Sequence, residues 1–82
     1  MHNILMCRSM TAAQKAVTVL QRAGVFASVA KAPQSANPGG CTYGAKIGAQ
    51  NRARALELLH RAGIPVLKVL EIGDAGFREV MQ

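Results

Sequence analysis

A ten-residue pattern occurs twice in this chain. Residues 16–25 read AVTVLQRAGV and residues 55–64 read ALELLHRAGI. Ala, Leu, Arg, Ala and Gly match in register, and Val25 stands against Ile64. Each copy sets apolar residues at helical spacing, stops on Arg-Ala-Gly and enters a β-branched residue. A glycine there suits a helix C-cap, where the chain turns through the left-handed region. Pro65 follows the second stop, so that helix cannot continue. A chain of 82 residues has room for one domain, so both copies must share one core.

Working outward from the repeat gives four strands. Ile4 to Cys7 is a short apolar run that predicts a buried first strand. Ser9 or Thr11 then caps a helix, and Thr11-Ala12-Ala13-Gln14 has capping-box spacing. Ala13, Ala16, Val17 and Leu20 share one helix face, with Gln14, Lys15, Thr18 and Arg22 turned away. Val25 to Lys31 reads as the second strand, and Ala32 to Gly40, rich in Pro, Ser, Asn and Gly, as a loop. Cys41 to Ile47 is the third strand, interrupted by Gly44. Residues 50–63 form the second helix, with Ala55, Leu58, Leu59 and Ala62 on its apolar side. Pro65 to Ile72 is the fourth strand, and residues 73–82 are a tail with one helical turn from Ala75 to Met81.

The order β-α-β-β-α-β predicts an α+β, ferredoxin-like sandwich: a four-stranded antiparallel sheet with two helices on one face. The expectation is a single domain over 1–82, with its core at about 3–72. The strand order of that topology is 4-1-3-2, which puts the end of strand one beside the start of strand three. Cys7 and Cys41 then fall at the same end of the sheet.

Ten Lys and Arg against four Asp and Glu give a net charge of +6, which favours anionic partners. The basic residues are scattered, so no unstructured nucleic-acid-binding arm is expected. RNA-binding domains of this topology stack bases on aromatics of the central strands. Here the only aromatics are Phe26, Tyr43 and Phe77, and nucleic acid is not the expected partner. Glu57, Glu71, Asp74 and Glu79 form no paired set for acid–base catalysis. No residue set points to a cofactor or a metal, and no apolar run is long enough for a membrane span. Two cysteines and no leader-like opening predict a cytoplasmic chain with reduced thiols. A domain this small buries a thin core, which leaves room for a homodimer.

Chemistry centres on Cys41. It follows Asn37-Pro38-Gly39-Gly40, and consecutive glycines free backbone N–H groups to face an anion. Cations such as Arg8, Lys31, Lys46, Arg52 or Arg54 would favour its thiolate, the nucleophilic form. The alternative is a small buried hydrophobe at the start of a strand. Cys7 sits in an apolar strand, so its default is core packing; its functional reading is a resolving thiol for Cys41. Met6, Cys7 and Met10 are soft sulfur groups close in sequence, though Met most often fills gaps in a core. Arg8 and Ser9, ahead of the first helix, make a modest anion site from side chain and free N–H groups. Simple helix capping is the default reading of this corner.

Four stretches carry a resemblance. They are Cys7-Arg8-Ser9-Met10-Thr11-Ala12-Ala13-Gln14, Leu20-Gln21-Arg22-Ala23-Gly24-Val25, Ala32-Pro33 and Gly40-Cys41-Thr42-Tyr43-Gly44. In order and spacing the chain resembles the selenium/sulfur carrier protein-like family of small bacterial domains, from Ile4 to about Val69. The resemblance implies a βαββαβ domain whose mid-chain cysteine, here Cys41, holds sulfur or selenium as a persulfide or selenosulfide. It implies a carrier between donor and acceptor proteins, more than an independent enzyme. On that reading Arg8, Ser9, Gly39, Gly40 and Lys46 hold the anion and Cys7 resolves it. Many members have Gly directly after this Cys; here Thr42 and Tyr43 intervene before Gly44. The rival reading is a regulatory module of the ACT type, binding a small anion with Cys41 merely structural.

Overall fold

The computed structural model describes residues 2–31, 43–74 and 76–80. Five strands and two helices follow in the order β1 (His2–Met6), α1 (Met10–Arg22), β2 (Ala27–Lys31), β3 (Tyr43–Gly48), α2 (Arg52–Arg61), β4 (Lys68–Gly73) and β5 (Gly76–Val80). A single turn of 3₁₀ helix, Ala49–Asn51, leads into α2. The strands form one sheet in the order β2-β3-β1-β4-β5, and every neighbouring pair is antiparallel.

The sheet therefore has five strands where the sequence predicts four. The tail is the source of the difference, because residues 76–80 form an edge strand and not a helical turn. Gly73 pairs with Gly76 across a two-residue connection, and Gly76 takes φ +122°, a conformation that side chains rarely adopt. Beyond that turn Ile72 faces Phe77, and Glu71 faces Arg78 with a 3.0 Å ion pair. Cross-strand pairs of this kind hold an edge strand that its intrinsic propensity leaves undecided.

The repeat builds two matching helix ends. At the end of α1 the Gly24 N–H donates to the Gln21 carbonyl (3.0 Å) and the Val25 N–H to the Leu20 carbonyl (2.9 Å). At the end of α2 the Gly63 N–H donates to His60 (3.1 Å) and the Ile64 N–H to Leu59 (2.9 Å). Both are Schellman motifs, with Gly24 at φ +81° and Gly63 at φ +73°. The geometry moves the strand starts. Val25 belongs to the stop, so β2 begins at Ala27, and β4 begins at Lys68 after Pro65.

Both helices pack on one face of the sheet. Ala13, Ala16, Val17 and Leu20 of α1 are buried, as their spacing predicts. They meet Ala55 and Leu59 of α2 and Leu5, Cys7, Ala45, Ile47 and Val69 of the strands in one core. On α2 the buried stripe is narrower than expected: Leu58 is half-buried and Ala62 exposed. The opposite sheet face carries a smaller cluster of Ile4, Met6 and Leu70. The period-two alternation of strands thus divides Met6 from Cys7, one to each face. Gly44 stands opposite Met6, with β1 backbone close over it. A Cβ there would stand 2.5 Å from the Leu5 carbonyl oxygen, so only glycine fits.

Candidate functional site

The end of β1 is held from both sides. The Cys7 N–H donates to the Tyr43 carbonyl (3.1 Å), and the Met6 carbonyl accepts from the Leu67 N–H (2.9 Å). One end of the sheet thereby gathers the exit of β1, the entry of β3 and the approach to β4. Cys7 is fully buried there, and its Sγ lies 3.4 Å from the Leu5 carbonyl, to which the thiol donates. Its place in the shared core fits a packed side chain, and no solvent reaches it while the fold is closed.

Arg8 and Ser9 follow at the surface. Ser9, and not Thr11, is the cap of α1: its Oγ accepts from the Ala12 N–H (3.1 Å), and its carbonyl from the Ala13 N–H (3.0 Å). The first turn of α1 carries no acidic residue. The positive end of the helix dipole and the Arg8 guanidinium therefore stand together with no carboxylate of that turn to offset them.

Cys41, Gly39 and Gly40 lie outside the described residues. In sequence Cys41 stands two residues before Tyr43, the residue whose carbonyl holds Cys7. Lys46 is described. It is exposed in mid-strand, opposite Ile4 and Ser28, on the sheet face away from the helices. Three residues of β3, roughly 10 Å, separate it from Tyr43. Its ammonium, second to burial, helps hold the His2 imidazole below its ordinary pKa of 6.5. Two further cations are committed to the other end of the sheet. Arg52 pairs with Glu71 (3.7 Å) and reaches Asn3 Oδ1 (3.5 Å), while Arg54 donates to the Ala23 carbonyl (3.0 Å).

The structure thus brings Arg8 and Ser9 to the Cys7–Tyr43 end and leaves Lys46 apart. Lys31 belongs to that end as well, since β2 pairs it with Tyr43. The sequence shows Lys31 only as one cation among several; the strand register singles it out. Met6 and Cys7 face opposite sides of the sheet, so the soft sulfur groups near the end of β1 do not converge. Among the described residues no three His, Cys, Asp or Glu side chains gather as a metal site would need. No helix among them is long and apolar enough to cross a membrane.

A groove of about 700 Å³ runs beside α1. Ser9, Thr11, Lys15, Thr18 and Arg22 line one wall, and the Ala62–Pro65 link between α2 and β4 lines the other. Sequence reasoning missed it, although the signal was present: Thr11, Lys15, Thr18 and Arg22 recur at helical spacing on the polar face of α1.

Compared with known proteins, residues 2–71 match the family model described as "Putative Se/S carrier protein-like". Neither a curated protein nor a solved structure matches the chain.

Proposed function

Because the chain belongs to the Se/S carrier protein-like family, we propose that it carries sulfur or selenium on Cys41 between a donor and an acceptor protein. One observation carries the choice of residue. The chain has two cysteines, and Cys7 is fully buried. A thiol that accepts an atom from another protein must be reached by it. Elimination leaves Cys41. Arg8 and Lys31, both exposed at the Tyr43 end of the sheet, support the reading, because cations near a thiol favour the nucleophilic thiolate.

Loading needs no oxidant. The Cys41 thiolate attacks the outer sulfur of a donor persulfide. A new S–S bond forms on Cys41, the donor's S–S bond breaks, and the donor leaves as a thiolate. With selenium the product is the selenosulfide. Release to an acceptor thiolate repeats the exchange in the other direction. A resolving role for Cys7 fits a separate exit. Its thiolate would attack the Cys41 sulfur, form a Cys7–Cys41 disulfide and expel the chalcogen as hydrosulfide or hydroselenide. That exit requires Cys7 to leave the core, so it is slower than direct transfer. Neither step requires a homodimer.

Intact mass after exposure to a small-molecule persulfide donor tests the proposal. Wild type and Cys7→Ser gain one sulfur, and Cys41→Ser gains none. Equal loading of Cys41→Ser would refute it and favour the rival small-anion-binding module.

A further inference from the structure

No acidic residue occurs before Glu57. Seven cations do: Arg8, Lys15, Arg22, Lys31, Lys46, Arg52 and Arg54. The acids that follow are drawn to their own neighbours, Glu57 to Arg61 (2.8 Å) and Glu71 to Arg52 and Arg78. Charge is therefore divided across the molecule. The side built on α1 is positive without compensation, and the carboxylates lie on α2 and the β4–β5 hairpin. The groove beside α1 is the concave part of that positive side. No carboxylate lines it, and none of the ion pairs among the described residues involves Lys15 or Arg22.

We infer that this groove docks an acidic segment of the protein that delivers the chalcogen, an inference that rests on the carrier reading. Lys15 and Arg22 stand seven residues apart, two helical turns or about 10 Å. Side chains of an extended peptide share a face at i and i+2 or at i and i+4, about 7 or 13 Å apart, and the long Lys15 and Arg22 side chains reach carboxylates at either spacing. Thr11 and Gln14 offer hydrogen bonds beside them, while the Thr18 hydroxyl donates to the Gln14 carbonyl (3.0 Å). Ser9 and Pro65 form the end of the groove nearest the Cys7–Tyr43 end of the sheet, because α1 starts and α2 ends there. A partner seated along α1 is thus aligned toward the entry of β3. A single strand of RNA is the weaker fit, since no aromatic side chain lines the groove to stack a base.

Two synthetic donors test this. One is a peptide persulfide with four glutamates ahead of its cysteine, and the other has glutamine in their place. At low salt wild type takes sulfur from the acidic donor roughly tenfold faster or more, the usual scale of electrostatic steering. Added salt closes the gap. The Lys15→Glu/Arg22→Glu variant loses the preference and keeps its rate with the glutamine donor, since both residues are exposed and far-UV circular dichroism is unchanged. Arg61→Glu/Arg78→Glu changes the net charge equally outside the groove lining and keeps the preference. Equal rates from the two donors in wild type, or loss of preference in both variants, overturn the docking site while the carrier reading stands. No loading from either donor overturns both. Displacement of the acidic donor by single-stranded RNA but not by a glutamate peptide overturns it in favour of nucleic acid.

Discussion

The two helices close in the same way and open differently. Each ends in an Arg-Ala-Gly stop with two Schellman hydrogen bonds. At the start, α1 has the Ser9 cap, whereas α2 emerges from a 3₁₀ turn and Asn51 makes no side-chain cap bond. α1 buries four residues and carries no acid; α2 buries two and braces itself with Glu57 and Arg61. The repeat therefore fixes what must be shared, the burial depth and the stop. What it leaves variable is the outer surface, and there the first unit became an acid-free, positively charged face while the second gathered the ion pairs.

If that division holds, Leu20→Ala and Leu59→Ala are equivalent and costly. Both side chains are fully buried at matching places in the repeat, and each loss is expected to destabilise by about 2–5 kcal/mol. Urea denaturation giving a small effect at one site and a large one at the other would break the equivalence. Next come Gly24→Ala and Gly63→Ala. Open space surrounds both Cβ positions, so the cost is backbone strain alone, roughly 1–2 kcal/mol and alike at the two ends. A thermal midpoint that moves for only one of them would show that the stops are not the same motif.

The starts should separate where the ends agree. Ser9→Ala removes a cap and is expected to cost about 1 kcal/mol, while Asn51→Ala costs almost nothing. Comparable losses in chemical denaturation would mean that α2 has a cap the hydrogen bonds do not reveal. The smallest effect belongs to Glu57→Gln. An exposed i,i+4 pair contributes about 0.3–0.5 kcal/mol, and that contribution fades in high salt. A salt-independent loss would point to packing by the Glu57 stem.

Much of the fold was legible because helical spacing is a strong signal over thirteen residues. Ala13, Ala16, Val17 and Leu20 could be read directly, and the strands that make up the sheet centre followed from the repeat. The last strand was not legible. Five residues with one glycine and two charges state no preference by themselves, and β5 is settled by pairing with β4 across the Gly73–Gly76 turn. The site was legible in part. Arg8 and Ser9 lie where the connection from strand one to helix one put them. The face that Lys46 takes was not legible, because it depends on alternation along β3. Tyr43, Ala45 and Ile47 point to the helices, so Lys46 points away. Cys41 and its glycines lie outside the described residues, and their role rests on sequence and family.

The carrier account depends on the two thiols being unlike, and their reactivity in the folded protein measures that directly. Native protein is treated with iodoacetamide, sampled over time and digested, and each cysteine-containing peptide is weighed. Cys41 should be alkylated promptly, while Cys7 stays protected until urea opens the core. Alkylation of Cys7 as fast as Cys41 in the absence of denaturant would contradict the account, because burial would then no longer choose between them.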